Sequence, residues 1–252
     1  LSGGPGTGKT TTAAKILALL IEEALPQPLR IALAAPTGKG AARLQESILR
    51  SRASLPCGEE VKEAMPSEAF TLHRLLGPVE GSPYFRHNAQ NPLALEAVVV
   101  DEASMVDLAL MAKLVQSLPD GCRLILLGDK DQLASVEAGA LLGQLCQRAG
   151  AGHYTPDSRD WLAAATGERL DPALIDSAGL PLDQAIVMLR HSHRFSADSG
   201  IGQLAQAVNE GDSAAVLGIW ARGHRDLALA AIPNLEAPAL RSLVTGGGLA
   251  PA

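Results

Sequence analysis

The sequence predicts an α/β fold in which a parallel β-sheet is covered by helices on both faces. Three observations predict it. Short apolar runs, Arg30 to Ala35 (RIALAA), Ala97 to Val100 (AVVV) and Arg123 to Leu127 (RLILL), alternate with stretches whose apolar residues recur at helical spacing. Each run is apolar nearly throughout, as a strand buried on two sides must be, where a half-exposed strand would alternate. Finally, a glycine-rich turn, Gly3-Gly4-Pro5-Gly6-Thr7-Gly8-Lys9-Thr10, opens the chain directly before a helical stretch.

That octet fits a phosphate-binding pattern: a glycine, four free positions, then Gly-Lys-Ser/Thr. Glycines let the backbone curl until successive N–H groups point inward at phosphate oxygens. Lys9 is then placed to reach the β- and γ-phosphates of a nucleotide, and the Thr10 hydroxyl to complete a Mg²⁺ shell. Gly3, Gly4, Pro5, Gly6, Thr7, Gly8, Lys9, Thr10 and Thr11 form the expected nucleotide-binding set. The helix is expected over Thr11 to Ala24, its positive dipole end facing the phosphates. Only Leu1 and Ser2 precede the motif, so the strand that normally feeds such a loop is expected to be missing or nearly so.

After Pro26 and Pro28, the run ending at Ala35 meets Pro36-Thr37-Gly38-Lys39-Gly40, and Ala41 to Ser51 is helical. Residues 53–70 are mixed and punctuated by proline. Thr71 to Gly77 (TLHRLLG) reads as a short helical piece. Turn formers dominate Gly77 to Pro92, which carries Tyr84, Phe85, Arg86 and His87, and a small inserted hairpin is expected at about 78–93. The run Ala97 to Val100 ends in Asp101-Glu102, a helix is expected from Met105 to Ser117, and the strand at 123–127 ends in Gly128-Asp129-Lys130-Asp131-Gln132. Residues 1–149 thus form a first domain and the polar stretch 150–183 a linker. Ala185 to Leu189 (AIVML) is read as one more strand. It leads into Arg190-His191-Ser192-His193-Arg194-Phe195 and a helix around Gly202–Asn209, the start of a second domain over 184–252. From about 223 the pattern degrades, and no internal repeat is visible.

Hydrophobic residues make up 47% and charged residues 19%, enough apolar surface for a buried core. Aromatics are only 3%, so packing must rest on Leu, Ala, Val and Ile. A net charge of −6 argues against a chain that is basic all over and binds nucleic acid by bulk charge, though it leaves room for a local basic groove. Cys57, Cys122 and Cys146 form no CxxC pair and no metal-ligand spacing, which reads as reduced and cytoplasmic. No apolar run approaches the ~18 residues that a membrane span needs.

The chemistry gathers at strand ends. In an open parallel sheet the ligand crevice lies outside the carboxyl ends of the strands. Asp101 is placed there to hold Mg²⁺, and Glu102 to polarise the attacking water. Gln132, in the loop after the next strand, has an amide able to sense a γ-phosphate, but reads equally as a solvated loop residue. Arg194 fits an arginine finger or a surface ion pair. Thr37, Lys39, Thr71, His73 and Arg74 lie near strand ends and suit contacts to a phosphate backbone. Tyr84 and Phe85 suit base stacking or a wedge, and suit a small core anchor as well. His191 and His193 have no acid or Cys cluster that would complete a metal site.

The order GGPGTGKT, AAPTGKGAARL, TLHRLLG, VVVDEASMVD, LLGDKDQLASVEAGALLG and LRHSHRFSADSGIGQLAQAVNEGD, over about residues 1–213, closely resembles the RecD family. These are the alpha chains of exodeoxyribonuclease V (RecBCD), superfamily 1 DNA helicases that move 5′ to 3′. The resemblance implies a RecA-like P-loop motor domain and the start of a second one. It implies an ATP-dependent helicase subunit of a DNA repair and recombination complex, acting on single-stranded DNA beside beta and gamma subunits. By the same resemblance Lys9, Glu102, Gln132 and Arg194 are catalytic, Thr10 and Asp101 hold Mg²⁺, and Thr37, Lys39, Thr71, His73 and Arg74 line the DNA path. The family's domain before the phosphate loop and its late helicase motifs have no counterpart in the sequence, so a fragment is expected. Two other readings stay open, an ATP switch without unwinding and a catalytically silent scaffold.

Overall fold

Every paired strand in the structure runs parallel to its neighbour. The computed structural model describes residues 1–132, 141–193, 199–227 and 240. In chain order the elements are β1 (Ser2–Gly3), α1 (Lys9–Ala24), β2 (Ile31–Ala35), α2 (Gly38–Ser54), α3 (Glu59–Ala64), β3 (Ala69–Thr71) and α4 (Leu72–Leu76). Then come β4 (Ala97–Val100), α5 (Leu108–Ser117), β5 (Arg123–Leu126), α6 (Leu141–Leu145), α7 (Pro156–Thr166) and β6 (Met188–Leu189). The last two are α8 (Gly200–Glu210) and α9 (Ser213–Ala221). The chain divides into two units, Leu1–His191 and Ser192–Ala252. No described helix is long and apolar enough to cross a membrane.

In the first unit four strands lie in the order β3-β2-β4-β5, and β1 pairs with β6 in a second ladder. A parallel bridge from Ser2 to Gly128, just past β5, joins the two. The residues before the phosphate loop are thus a strand only two residues long. It is held on one side by Gly3 N–H donating to Gly128 O (3.1 Å) and on the other by Ser2 N–H donating to Val187 O (2.9 Å).

The two-residue period of a strand sorts the core into two halves. Ala32 and Ala34 of β2 and Val98 and Val100 of β4 face Leu72 and Leu76 of α4 and Leu110, Met111 and Leu114 of α5. Leu33, Val99 and Leu127 face the other way, onto Ala14, Leu17 and Ile21 of α1, Leu44 and Ile48 of α2 and Val61 of α3. Both faces of the sheet are therefore covered, and the apolar runs needed no alternation.

Local side-chain chemistry sets where helices begin. Thr37, Thr71, Asp107 and Thr155 each accept a backbone N–H three residues on, at the starts of α2, α4, α5 and α7. The Asp107 cap moves the start of α5 to Leu108, three residues past the expected start at Met105, which instead ends a short 3-10 turn over Ala103–Met105. Between Pro78 and Asn91 the inserted segment makes isolated antiparallel bridges, Pro78 to Phe85 and Asn88 to Asn91, rather than extended strands. Phe85 packs on the core, edge-on to His73 at 5.7 Å, with Lys113 Nζ over its ring at 5.1 Å, while Tyr84 stays exposed.

Residues 148–190 are held largely by polar bonds. Arg148 pairs with the buried Asp183 at 3.4 Å, and His153 with Asp176 at 2.7 Å. Gln184 Oε1 accepts from Thr155 N–H (3.0 Å) and the Ser158 hydroxyl (2.8 Å), and Tyr154 OH donates to Ile186 O (2.8 Å).

In the second unit α8 packs on α9. Ser199 caps α8 through Gly202 N–H, and the Asp226 carboxylate accepts from Gly200 and Ile201 N–H, both at 3.0 Å. Asp212 caps α9.

Candidate nucleotide-binding site

The phosphate loop turns on two glycines in the left-handed region, Gly6 at φ 75° and Gly8 at φ 84°, where a Cβ would be strained. Gly3 is needed for a different reason: a Cβ there would fall 2.6 Å from Thr7 Oγ1 and 2.8 Å from Leu189 O. Thr7 is nearly buried and donates its hydroxyl to Gly4 O at 2.9 Å, closing the turn across its base. Gly8 begins α1 without any side-chain cap. First-turn N–H groups of α1 are therefore directed at the mouth of the loop, the arrangement that receives an anion. Lys9 Nζ donates to the carbonyls of Gly3 (2.5 Å) and Gly4 (3.0 Å), spanning the loop from inside.

Asp101 and Glu102 follow β4 at the carboxyl edge of the sheet, and Gly128 and Asp129 follow β5 next to it. Pro5, Lys9, Thr10, Asp101, Glu102, Ser104, Gly128, Asp129 and Gln132 line one cleft of about 210 Å³. The structure thus brings together the lysine, the hydroxyl, both acids and the glutamine expected from the sequence. The Thr10 hydroxyl and the Asp101 carboxylate are hard oxygen donors that both line this cleft, a set that fits Mg²⁺.

Burial pushes the Asp101 carboxyl above the usual range, against the opposing pull of the Glu102 N–H, which donates to it at 2.8 Å, and of the Lys9 charge. Glu102 holds a left-handed backbone, φ 53° and ψ 35°, a conformation that costs a non-glycine residue roughly 1–3 kcal/mol. Its Oε2 lies close to Gly40, in the first turn of α2 just past the end of β2. The raised carboxyl has a signed consequence. Between the unfolded and folded pKa values the native state binds more protons, so stability falls as pH rises through that window and stays lowered above it. Asp101→Asn, which keeps the acceptor for Glu102 N–H, is therefore expected to raise the thermal midpoint at neutral pH without nucleotide. In the same variant the further rise that wild type gains from Mg²⁺-nucleotide is expected to disappear, as differential scanning calorimetry would show.

Sequence reasoning passed over two polar members of this site and one residue tied to its loops. Ser104 donates its hydroxyl to Gln132 Oε1 at 3.3 Å, joining the segment after the acids to the loop after β5. Asp129 shares the cleft and accepts from Asp131 N–H at 3.1 Å. Ser2 is fully buried and its Oγ accepts from Lys130 N–H at 3.1 Å, tying the strand under the phosphate loop to the Gln132 loop. Ser104 and Asp129 both stood inside quoted motifs, but a lone hydroxyl or acid has no spacing that marks it.

The five residues expected on a DNA path sit at the same edge of the sheet. β2 and β3 are neighbours with Ala35 beside Thr71, so Thr71 closes β3 level with the end of β2 and Thr37 stands two residues past that end. Each accepts a backbone N–H as a helix cap, at 3.0 Å for Thr37 and 3.1 Å for Thr71. Lys39, His73 and Arg74 are exposed, with His73 against the Phe85 ring and the Arg74 guanidinium 5.0 Å over the Phe70 ring. Arg194 lies outside the described residues.

Residues 1–138 match the model of a family described as an AAA domain. The RecBCD enzyme subunit RecD of Haemophilus influenzae is 43% identical over 215 residues, which are 84% of this chain and 33% of that protein. The ATP-dependent RecD2 DNA helicase of Deinococcus radiodurans is 43% identical over 149 residues, 59% of this chain and 18% of that one. A crystal structure of Bacteroides sp Pif1 in complex with ADP-AlF4 aligns over 86% of this chain and 43% of its own, with a TM-score of 0.42 and 20% identity. The chain spans about a third of the length of the RecD relatives it matches. Since the family match takes in more than half of the 252 residues and every residue lining the cleft, the chain belongs to the AAA-domain family.

Proposed function

We propose that this chain is the ATP-hydrolysing core of a 5′–3′ DNA helicase subunit of a RecBCD-like repair and recombination complex in the cytoplasm. The observation that carries this reading is the single cleft shared by Lys9, Thr10, Asp101, Glu102 and Gln132. Its similarity to RecD and to the RecD2 DNA helicase supports the assignment to a DNA motor.

In this reading Lys9 leaves the Gly3 and Gly4 carbonyls and turns to the β- and γ-phosphates, where its charge offsets what builds up as the γ-phosphoryl is transferred. Thr10 and Asp101 hold Mg²⁺, which when bound neutralises phosphate charge. Glu102 accepts a proton from the attacking water, and the products are ADP and inorganic phosphate. Gln132, bonded through its amide oxygen to Ser104, reports the presence of the γ-phosphate to the strand-end segments. Arg194 acts as the finger from a second motor domain. Single-stranded DNA lies along Thr37, Lys39, Thr71, His73 and Arg74, contacts that read the sugar-phosphate chain and not the bases. Beta and gamma subunits are the protein partners, and nuclease chemistry belongs to one of them.

The test is the ATPase rate of the full-length protein with and without single-stranded DNA. Stimulation by DNA is expected. Equal rates would leave an ATP switch, and an absence of hydrolysis with intact DNA binding would leave a scaffold.

A further inference from the structure

Ser2 is fully buried in β1, where a parallel sheet covered on both faces asks for an apolar side chain, as Leu33 in β2 and Val98 to Val100 in β4 show. Taking a hydroxyl out of water is unfavourable unless it is hydrogen-bonded. The partners of this one show what it does. Ser2 Oγ accepts from Lys130 N–H at 3.1 Å, across 128 positions of the chain. Burial pushes the Cys146 thiol up, and the Ser2 hydroxyl bonded to it pulls the other way, so the serine is satisfied both as acceptor and as donor.

The bond from Lys130 falls where the backbone ladder has ended. Gly128 N–H donates to Leu1 O at 3.2 Å and Gly3 N–H to Gly128 O at 3.1 Å. Beyond Gly128 the loop turns on itself, with Asp131 N–H donating to Asp129 Oδ1 at 3.1 Å and Gln132 N–H to Asp129 O at 3.2 Å. Among the described residues, the Lys130 N–H is the one of the three at 130–132 that leaves the loop. Its acceptor stands one residue before Gly3, whose carbonyl receives Lys9 Nζ at 2.5 Å. At the far end Gln132 Oε1 accepts from the Ser104 hydroxyl at 3.3 Å. The loop is thus pinned to the strand under the phosphate loop and to the segment after the two acids.

We propose that Ser2 is a positioning residue for Gln132: its buried hydroxyl pins the loop that carries the amide onto the strand that carries the phosphate loop. This rests on the reading of Gln132 as the residue that reports the γ-phosphate. With the pin in place, the amide and Lys9 are held to one frame and serve the same phosphate. Without it, the Lys130 N–H is left inside with no acceptor, and the turn that presents Gln132 is free to shift against the phosphate loop.

The experiment is a double-mutant cycle in the full-length protein. Calorimetry reads its affinity for ADP and for the non-hydrolysable analogue AMPPNP, each with Mg²⁺, and kcat for ATP hydrolysis is read at saturating single-stranded DNA. Ser2→Ala is expected to lower AMPPNP affinity and kcat by about 10-fold each, the scale of a hydrogen bond lost with its partner left unpaired, while ADP affinity stays at the wild-type value. Ser2→Thr keeps the hydroxyl and is expected to restore both. In a Gln132→Ala background Ser2→Ala is expected to cause no further loss, because the amide it positions is gone. A parallel loss of ADP affinity, an equal loss in both backgrounds, a Ser2→Thr protein as impaired as Ser2→Ala, or unchanged AMPPNP affinity and kcat in Ser2→Ala would each overturn the proposal. Wild-type AMPPNP affinity and turnover in Gln132→Ala alone would instead overturn the reading of Gln132 itself, whatever Ser2→Ala does.

Discussion

Glu102→Gln is expected to reduce ATP turnover in the full-length protein by about 10²- to 10⁴-fold, the range a positioned general base supplies. The carboxamide has the shape of the carboxylate and keeps its place beside Gly40, so packing does not explain a loss. Nor does binding, since in the proposed reading Glu102 acts on the water and not on the phosphates. The loss should therefore fall on kcat and leave ADP affinity unchanged, which steady-state kinetics and calorimetry together separate. Turnover near wild type would remove Glu102 from the mechanism and hand proton acceptance to another group in the cleft, such as Asp129.

Lys9→Ala is expected to be as damaging by a different route. Removing a preorganised charge aimed at a transferring phosphoryl group costs about 10²- to 10³-fold in turnover on the scale of a single lost donor. Here nucleotide affinity falls as well, because the same ammonium meets the phosphates in the ground state. The substitution also strips the Gly3 and Gly4 carbonyls of their bonds from Nζ. ATPase rate and nucleotide affinity are the two readouts, and retention of both would show that the loop works without its lysine.

How much of this was legible in the sequence depended on where the information lay. The phosphate loop is local: the left-handed turns at Gly6 and Gly8 and the placement of Lys9 follow from eight consecutive residues. The strands β2, β4 and β5 were legible because burial on two faces leaves an unbroken apolar run. β3 was not, since three residues at the edge of the sheet pair only with β2 and carry too little pattern to stand out from 53–70. Residues 150–183 read as a linker because the bonds at their two ends, Arg148 to Asp183 and Gln184 to the His153 carbonyl, have no periodicity. The closeness of Gly40 to the Glu102 carboxylate was beyond reach for another reason: the two stand sixty-two positions apart in the chain.

The bare start of α1 has one more consequence. α2 and α5 satisfy first-turn N–H groups with a threonine or aspartate of their own, while α1 has no side-chain cap and relies on what enters the loop. A bound nucleotide phosphate is thus the missing cap of the helix that packs Leu17 and Ile21 into the core. Ligand occupancy and the integrity of that half of the core become one equilibrium, and at a hundred times its Kd a nucleotide deepens the folded state by about 2.7 kcal/mol. In the proposed reading ATP is in this sense a structural component that the protein consumes and must replace on every cycle.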